Sequence, residues 1–369
     1  MHGRYAGWGE GRMTTYRLAI IPADGIGPEV IGGSLQVFKA LKNLHGGIAF
    51  ELQEFDWGSA RYLELGSMMP KDGIRQLEAG GFDAILLGPV GSPHVPDHIT
   101  LWNLVLPIRQ ALEQYVNLRP LRLLDGVASP LRRRGPESLD MVCFRENSEG
   151  EYAGVGGRVH QGQAEEVAVQ TIVFTRAVTE KLIRFAFEWA LRHGRKRVTS
   201  VTKSNSMQYN MVFWDEVFSQ VAADYPTLTH DKQLVDSMTV RMVAQPETLD
   251  VFVASNLFGD ILSDLGSAIT GSIGLAPSAN LNPERKYPSM FQAIHGSAFD
   301  LVGKNQANPT ASIWSAQMML DHLGESELAN LLMSAIETVL REARIRTRDL
   351  GGQNSTAEMT DAICEALEA

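Results

Sequence analysis

The chain reads as an α/β protein with room for two domains, and three observations point there. Apolar, β-prone runs alternate with helical patterns along most of the length. The 369 residues, 44% hydrophobic and 21% charged, have an ordinary globular composition and are long enough for two domains and a sizeable core. The one turn that could carry a dinucleotide fingerprint, Ala23-Asp24-Gly25-Ile26-Gly27-Pro28-Glu29-Val30, has Val30 where G-x-G-x-x-G needs its third glycine. It also lacks the Gly-Lys-Ser/Thr of a P-loop, so neither standard phosphate cradle is supported.

The elements follow in order. Residues 1–12 are Gly-rich without periodicity and are expected to be a disordered extension, with Met13 as the natural start. A strand is expected at 16–22, then a tight turn at Gly25 and Gly27, with Pro28 in the first turn of a helix over 30–44. Strands at 49–55 and 82–87 flank a helix at 71–79. The Gly/Pro-rich loop 88–98 then lies at a strand's carboxyl end, where α/β proteins keep their sites. A helix over 101–116 carries Arg109 and ends at Asn117-Leu118-Arg119-Pro120. The basic run Arg132-Arg133-Arg134 reads as a solvated loop. A strand at 139–144 leads into Arg145-Glu146-Asn147-Ser148-Glu149-Gly150-Glu151-Tyr152, and 154–176 alternates as an extended hairpin or arm. Helices are expected at 179–192, 211–225, 325–342 and 359–367, and a strand at 195–201 runs into Thr202-Lys203-Ser204-Asn205.

One stretch combines structure with chemistry. Val251-Phe252-Val253-Ala254 reads as a buried strand, and Ser255-Asn256 as a turn and N-cap. Phe258, Ile261, Leu262 and Leu265 then form a helical apolar stripe. Asp260 and Asp264, four apart, leave the same side of that helix. They are either an ordinary solvated acidic face or part of an oxygen-ligand site for a hard cation such as Mg²⁺ or Mn²⁺. Asp236 stands among Leu234, Val235, Met238 and Val240, company that is costly for a carboxylate unless it is paired.

Composition excludes some partners. A net charge of -10 argues against nucleic acid or an anionic membrane. No apolar run has membrane-spanning length, and the N-terminus has no signal-peptide segment. Cys143 and Cys364 cannot build a disulfide framework, which makes a reducing cytoplasm the expected location. Cys143 reads as a small buried residue. Asn354-Ser355-Thr356 is a chance sequon.

The polar residues at turns or within apolar runs are Arg109, Arg119, Arg145, Tyr152, Lys203, Asp236, Asp260 and Asp264. Arginines can grip carboxylates through paired N–H donors, aspartates can hold a divalent metal, a lysine can act as base and a tyrosine as acid. Each also has a bland alternative: Arg119 as a helix cap, Tyr152 as core packing, Lys203 as a solvated side chain.

Taken together, the motifs resemble those of the β-decarboxylating dehydrogenases, the family of isocitrate and 3-isopropylmalate dehydrogenases. The carrying segments are ADGIGPEV at 23–30, NLRP at 117–120, RENSEGEY at 145–152, TKSN at 202–205, ASNLFGDILSDLGS at 254–267, HGSAFDLVGKNQANP at 295–309 and RDLGG at 348–352. DHITLW at 97–102 and APSANLNPER at 276–285 are similar to the tartrate and D-malate dehydrogenase branch. The resemblance implies a two-domain isopropylmalate-dehydrogenase-like fold, a mixed twisted sheet flanked by helices and not a standard Rossmann fold. It also implies a large cofactor-binding domain of 14–117 plus 273–369 and a small domain, 118–272, with the dimer interface and arm.

For the site, the resemblance implies that Arg109, Arg119 and Arg145 bind substrate carboxylates and that Asp260 and Asp264 bind the metal with Asp236 of the other subunit. Lys203, also from the partner, would be the general base, and Tyr152 would protonate the carbon left by decarboxylation. Leu101 and Trp102 precede Arg109 where the family sets substrate choice. No serine for the extra carboxylate of isocitrate occurs there, and bulky Trp102 favours a small group at C3. His295, Gly296, Ser297, Asp300 and Asn308 would hold the cofactor. Asp300 would repel a 2′-phosphate, which favours NAD over NADP. Mn²⁺ or Mg²⁺ is expected, and K⁺ is a common requirement of the family. The activity implied is oxidation of a small 2-hydroxy diacid, D-malate to pyruvate and CO₂ or tartrate, by a homodimer with shared sites. The alternatives are 3-isopropylmalate dehydrogenase, a non-catalytic regulatory subunit and a binding protein for small acids. Two departures from the family pattern are Ala23, in place of a glycine, and Phe299, in place of a proline.

Overall fold

A computed structural model describes residues 13–132 and 135–369. The expected extension at 1–12 lies outside the described residues, as do Arg133 and Arg134 of the basic run. The strands are β1 (Thr14–Ile21), β2 (Ile48–Glu54), β3 (Ala84–Leu87), β4 (Val116–Arg122), β5 (Asp140–Glu146), β6 (Gly150–Val159), β7 (Val167–Val173), β8 (Arg197–Thr202), β9 (Thr229–Leu234), β10 (Val251–Ala254), β11 (Pro277–Leu281) and β12 (Ser289–Ala293). Ten of them form one sheet in the order β2-β1-β3-β12-β11-β4-β5-β10-β8-β9. Two parallel blocks, β2-β1-β3-β12 and β5-β10-β8-β9, are joined through antiparallel β11 and β4. Covered strands of this kind must be apolar on both faces, and β3 and β10 are buried throughout.

Helices cover both faces. Gly27–His45, Thr310–Leu323 and Ser326–Glu342 pack with Arg176–Arg192 around the largest core, which includes Phe38, Phe144, Phe187, Trp214 and Phe291. A smaller core under Asn256–Ile269 gathers Leu121, Cys143, Phe252 and Leu262. Cys143 is buried as expected, and burial pushes its thiol up to about 12. β6 and β7 form the expected arm as a separate two-stranded ribbon.

Two expectations are corrected. The helix carrying Arg109 ends at Ala111, and Asn117-Leu118-Arg119-Pro120 lies inside strand β4 rather than at a helix terminus. The chain reverses at Glu113, with φ 48, and re-enters the sheet. Beyond Leu118, β4 pairs only with β5, so Pro120 forfeits no bond to β11. The wide turn Leu101–Val105 in the same helical segment was not foreseen either. The second correction concerns the helix Asn256–Ile269. Its expected stripe is only partly buried, and Ile261 is 53% exposed. The face turned inward is Gly259, Leu262, Ser263, Gly266 and Ile269. A Cβ on Gly259 would stand 2.7 Å from Cβ of Arg145, so a glycine there lets the helix lie on β5.

Candidate active site

Strands and helix ends bring three arginines to one cavity. Arg109 comes from the helix Leu106–Ala111, Arg119 from mid-β4 and Arg145 from the end of β5. Along β4, Asn117, Arg119 and Leu121 share one face, opposite Val116 and Leu118 in the large core. The cavity of about 180 Å³ is lined by these arginines, Tyr152, Asp260 and His295, with Leu101, Val105 and Gly296 among its walls.

The three guanidiniums are 3–4% exposed, and all face a single lining carboxylate, Asp260. Nη1 of Arg119 lies 3.2 Å from Oδ1 of Asp260, and Nη1 of Arg145 donates to the same oxygen. Arg119 also donates through Nε to Oδ1 of Asn117 at 2.7 Å and through Nη1 to Oγ of Ser263 at 2.6 Å. Arg109 has no such anchor: its buried Nε lacks a partner. Burial and the charges of Arg145 and Arg119 pull Arg109 down to about 9, and burial with Arg145 pulls Arg119 down to about 10.

The carboxylates and the phenol respond to the same field. Burial raises Asp260, but Arg145, Arg119 and Arg109 outweigh it and hold the group below the carboxylate range. Asp264 moves the other way, pushed up by burial and then by Asp260 one turn before it. Tyr152 donates to Oδ2 of Asp260 at 3.4 Å, and the guanidinium of Arg145 lies 5.6 Å from the centre of its ring. Burial, followed by the charge of Asp260, raises the phenol, so it stays protonated at neutral pH.

The remaining expected site residues fall in three groups. Lys203 and Asp236 pair with each other, 2.6 Å from Nζ to Oδ1, and neither lines the arginine cavity. Asp236 is an exposed residue at the start of Val235–Ala244, so its apolar neighbours in sequence do not bury it. Among the described residues no group of three or more His, Cys, Asp or Glu converges as a metal site. Within one chain, then, Asp236 does not meet Asp260 and Asp264. Leu101 lines the cavity together with Val105, but Trp102 does not: it packs over Gly154 at the base of the arm.

The third group forms a second cavity, about 590 Å³, that meets the first at His295 and Gly296. Asp300 and Asn308 line it with Ile26, Ile273, Leu301 and Arg348 among others. Nε2 of His295 is buried without a partner, while Nδ1 contacts the carbonyl of Gly296 at 3.0 Å. Ser297 contributes from outside: its carbonyl accepts from the N–H of Ile26 at 2.9 Å and clips this loop to the Ala23–Val30 turn. Ala23 does take a left-handed φ of 57, and Asp24 behind it accepts from Ser59 and Gly91, tying the turn to the substrate-side loop. Phe299 is 39% exposed and opens the short turn Phe299–Leu301.

Several supporting residues were missed. Glu151 accepts from Oγ of Ser255 at 2.8 Å and from the N–H of Leu257 at 3.0 Å, which places a carboxylate at the N-terminus of the Asp260 helix. Glu146 and Asn256 form a buried pair behind Arg145. The one sequence signal was the three acids of RENSEGEY at the end of an expected strand, and nothing local linked them to Ser255 or Asn256.

Three buried guanidiniums and one carboxylate thus face a small chamber that meets a larger cavity at His295 and Gly296. A family model described as isocitrate/isopropylmalate dehydrogenase matches residues 17–363, and the chain belongs to that family. A probable tartrate dehydrogenase/decarboxylase of Agrobacterium vitis is 54% identical over 355 residues, covering 96% of this chain and 98% of that protein. A decarboxylating D-malate dehydrogenase of Escherichia coli K12 is 48% identical over 362 residues, with 96% and 99% covered. The crystal structure of isocitrate dehydrogenase from Methylococcus capsulatus superposes with a TM-score of 0.85 at 32% identity, covering 96% of this chain and 100% of that one. The expected fold is therefore the observed one.

Proposed function

We propose that the chain catalyses NAD-dependent oxidation and metal-assisted β-decarboxylation of a small 2-hydroxy diacid: D-malate to pyruvate and CO₂, tartrate, or both. The observation that carries this reading is three buried guanidiniums set against one carboxylate in a small cavity, an excess of positive charge suited to a dianion. The names of the relatives, tartrate dehydrogenase/decarboxylase and decarboxylating D-malate dehydrogenase, support the same substrate class.

The donor sets fit the groups this reaction needs. The unpartnered Nε2 of His295 and the partly apolar walls of the larger cavity suit a dinucleotide, and Asp300 there disfavours a 2′-phosphate. Asp260 and Asp264 offer hard oxygen donors one turn apart, to be joined by Asp236 from a second copy. Bound there, Mn²⁺ or Mg²⁺ would supply Lewis acidity, and NAD would supply the hydride acceptor. K⁺ is kept as an added requirement to test.

The chain's own groups do the rest. Arg109, Arg119 and Arg145 orient the two carboxylates and discharge their repulsion. Lys203 of a second copy takes the hydroxyl proton as hydride leaves C2. After CO₂ departs, the protonated phenol of Tyr152 delivers a proton to C3. The account balances: malate dianion and NAD⁺ become pyruvate, CO₂ and NADH. A homodimer is supported by apolar side chains left in water, including Val240 at 66%, Ile261 at 53% and Val169 on the arm at 57% exposure.

The test is NADH formation from D-malate, L-tartrate and 3-isopropylmalate with Mn²⁺. Turnover of D-malate or tartrate is expected. Exclusive use of 3-isopropylmalate would overturn the substrate, and no turnover with tight binding to an active relative would favour a regulatory subunit.

A further inference from the structure

Arg145 is held from behind by an amide with only one workable orientation. Oδ1 of Asn256 accepts from both Nε and Nη2 of Arg145, at 3.0 and 2.8 Å. Nδ2 of Asn256 donates to Oε2 of Glu146 and to the carbonyl of Glu149, both at 3.2 Å. A guanidinium only donates, and a carboxylate or carbonyl only accepts, so the amide cannot turn over without losing every bond. All three side chains are 0–3% exposed.

We propose that Glu146 and Asn256 are positioning residues: the carboxylate of Glu146 fixes which end of the Asn256 amide meets Arg145, and so aims the guanidinium that receives the substrate's carboxylate. This rests on the reading of the arginine cavity given above. Glu146 is itself committed. Its Oε1 accepts from the N–H and Oγ of Ser148, at 2.7 and 3.0 Å, and from the N–H of Glu149 at 2.9 Å, which leaves Oε2 for Asn256. Burial pushes the Glu146 carboxyl up to about 7 against these hydrogen bonds, and the charged group that acts on it is Glu149 beyond the turn, whose carboxylate is turned away to Thr175. Gly150 is left-handed at φ 68, and a Cβ added there would stand 3.3 Å from the same Oε2.

Two substitutions separate positioning from mere packing. Glu146→Gln keeps the shape but sets an amide N–H₂ against Nδ2 of Asn256, so KM for D-malate should rise on the order of ten-fold or more while kcat falls less. Asn256→Asp keeps the acceptor for Arg145 but opposes it to the carboxylate of Glu146. The pair then needs one shared proton, and kcat/KM should gain a descending limb as pH rises that the unaltered enzyme lacks. Adding Glu146→Gln to Asn256→Asp supplies a donor in place of that proton and should abolish the limb. The clash with the carbonyl of Glu149 is common to both variants and cancels.

A limb that persists in the double variant, or an unchanged KM in Glu146→Gln, would overturn the proposal. If the unaltered enzyme turns over none of the three diacids, the substrate reading fails by itself. The relay is then read from thermal unfolding against pH, where Asn256→Asp should go on losing stability above the pH near 7 at which the buried Glu146 of the unaltered chain ionises, and the double variant should not. Parallel profiles for the two variants would reject it.

Discussion

Lys203 and Asp236 hold each other at 2.6 Å, apart from the chamber in which Arg145, Arg119 and Tyr152 converge on Asp260. The pair joins the end of β8 to the start of the helix Val235–Ala244, at the surface. Lys203 lowers the Asp236 carboxyl through a direct hydrogen bond, so Asp236 is charged at neutral pH. On the proposed function, the two act as base and metal ligand in the site of a neighbouring copy.

Lys203→Met should therefore remove turnover without removing the fold. Loss of a general base costs ~10²–10⁴-fold in rate, whereas an exposed ion pair contributes about 0–1 kcal/mol to stability. Steady-state kinetics and thermal unfolding on one preparation check both halves. Near-normal turnover would reject the base.

Arg109 is predicted to cost the fold stability. Its charge is buried beside Arg145 and Arg119, and its Nε is unpaired. Arg109→Met should leave the unfolding midpoint equal to or above the original, yet raise KM for D-malate by about 100-fold or more. A lower midpoint with unaltered KM would show that Arg109 serves structure instead.

Gly259→Ala tests how tightly the Asp260 helix must lie on β5. The added methyl meets Cβ and Cγ of Arg145 at 2.7 Å, which rigid backbone cannot relieve. Overpacking of this kind costs about 1–3 kcal/mol, and it should also displace the guanidinium from Asp260. The expected result is lower stability with a larger loss in kcat/KM. Unchanged kinetics would mean that the helix shifts without consequence for the site.

Ala23 is left-handed at φ 57 but also packs its methyl against a small core with Phe55 and Trp57. Relief of strain in Ala23→Gly, about 1–2 kcal/mol, is offset by about 0.8 kcal/mol of lost burial and about 0.5–1 kcal/mol of chain entropy. Stability should change by less than about 1 kcal/mol in either direction, which explains how the chain tolerates alanine here. Chemical denaturation showing a change above about 1 kcal/mol in either direction would contradict it.

Local signals went far where one periodicity ruled. The strand at Val251–Ala254, the N-cap at Ser255, whose Oγ accepts from Phe258, and the arm of β6 and β7 were all readable. β4 was not, because Asn117, Arg119 and Pro120 break the apolar alternation that announces a strand. Asn117 and Arg119 are polar because their face builds the site, and Pro120 stands where β4 has left β11 and pairs only with β5. Ile261 misled for the complementary reason: the helix buries its small residues to reach Arg145 and leaves an apolar ridge outside. The buried pair Glu146 and Asn256 has no signature short of three dimensions, since its partners lie 110 residues apart.

The most direct measurement mixes two inactive enzymes. Lys203→Met retains Tyr152, and Tyr152→Phe retains Lys203. If each site takes its phenol from one chain and its lysine from the other, co-refolding the two should restore NADH formation from D-malate, through mixed dimers with one intact site. Recovery of up to roughly a quarter of normal specific activity is predicted for equal random pairing of the two chains as dimers. A mixture as inactive as its components, with mixed dimers demonstrated by mass, would contradict the shared site on which the account rests.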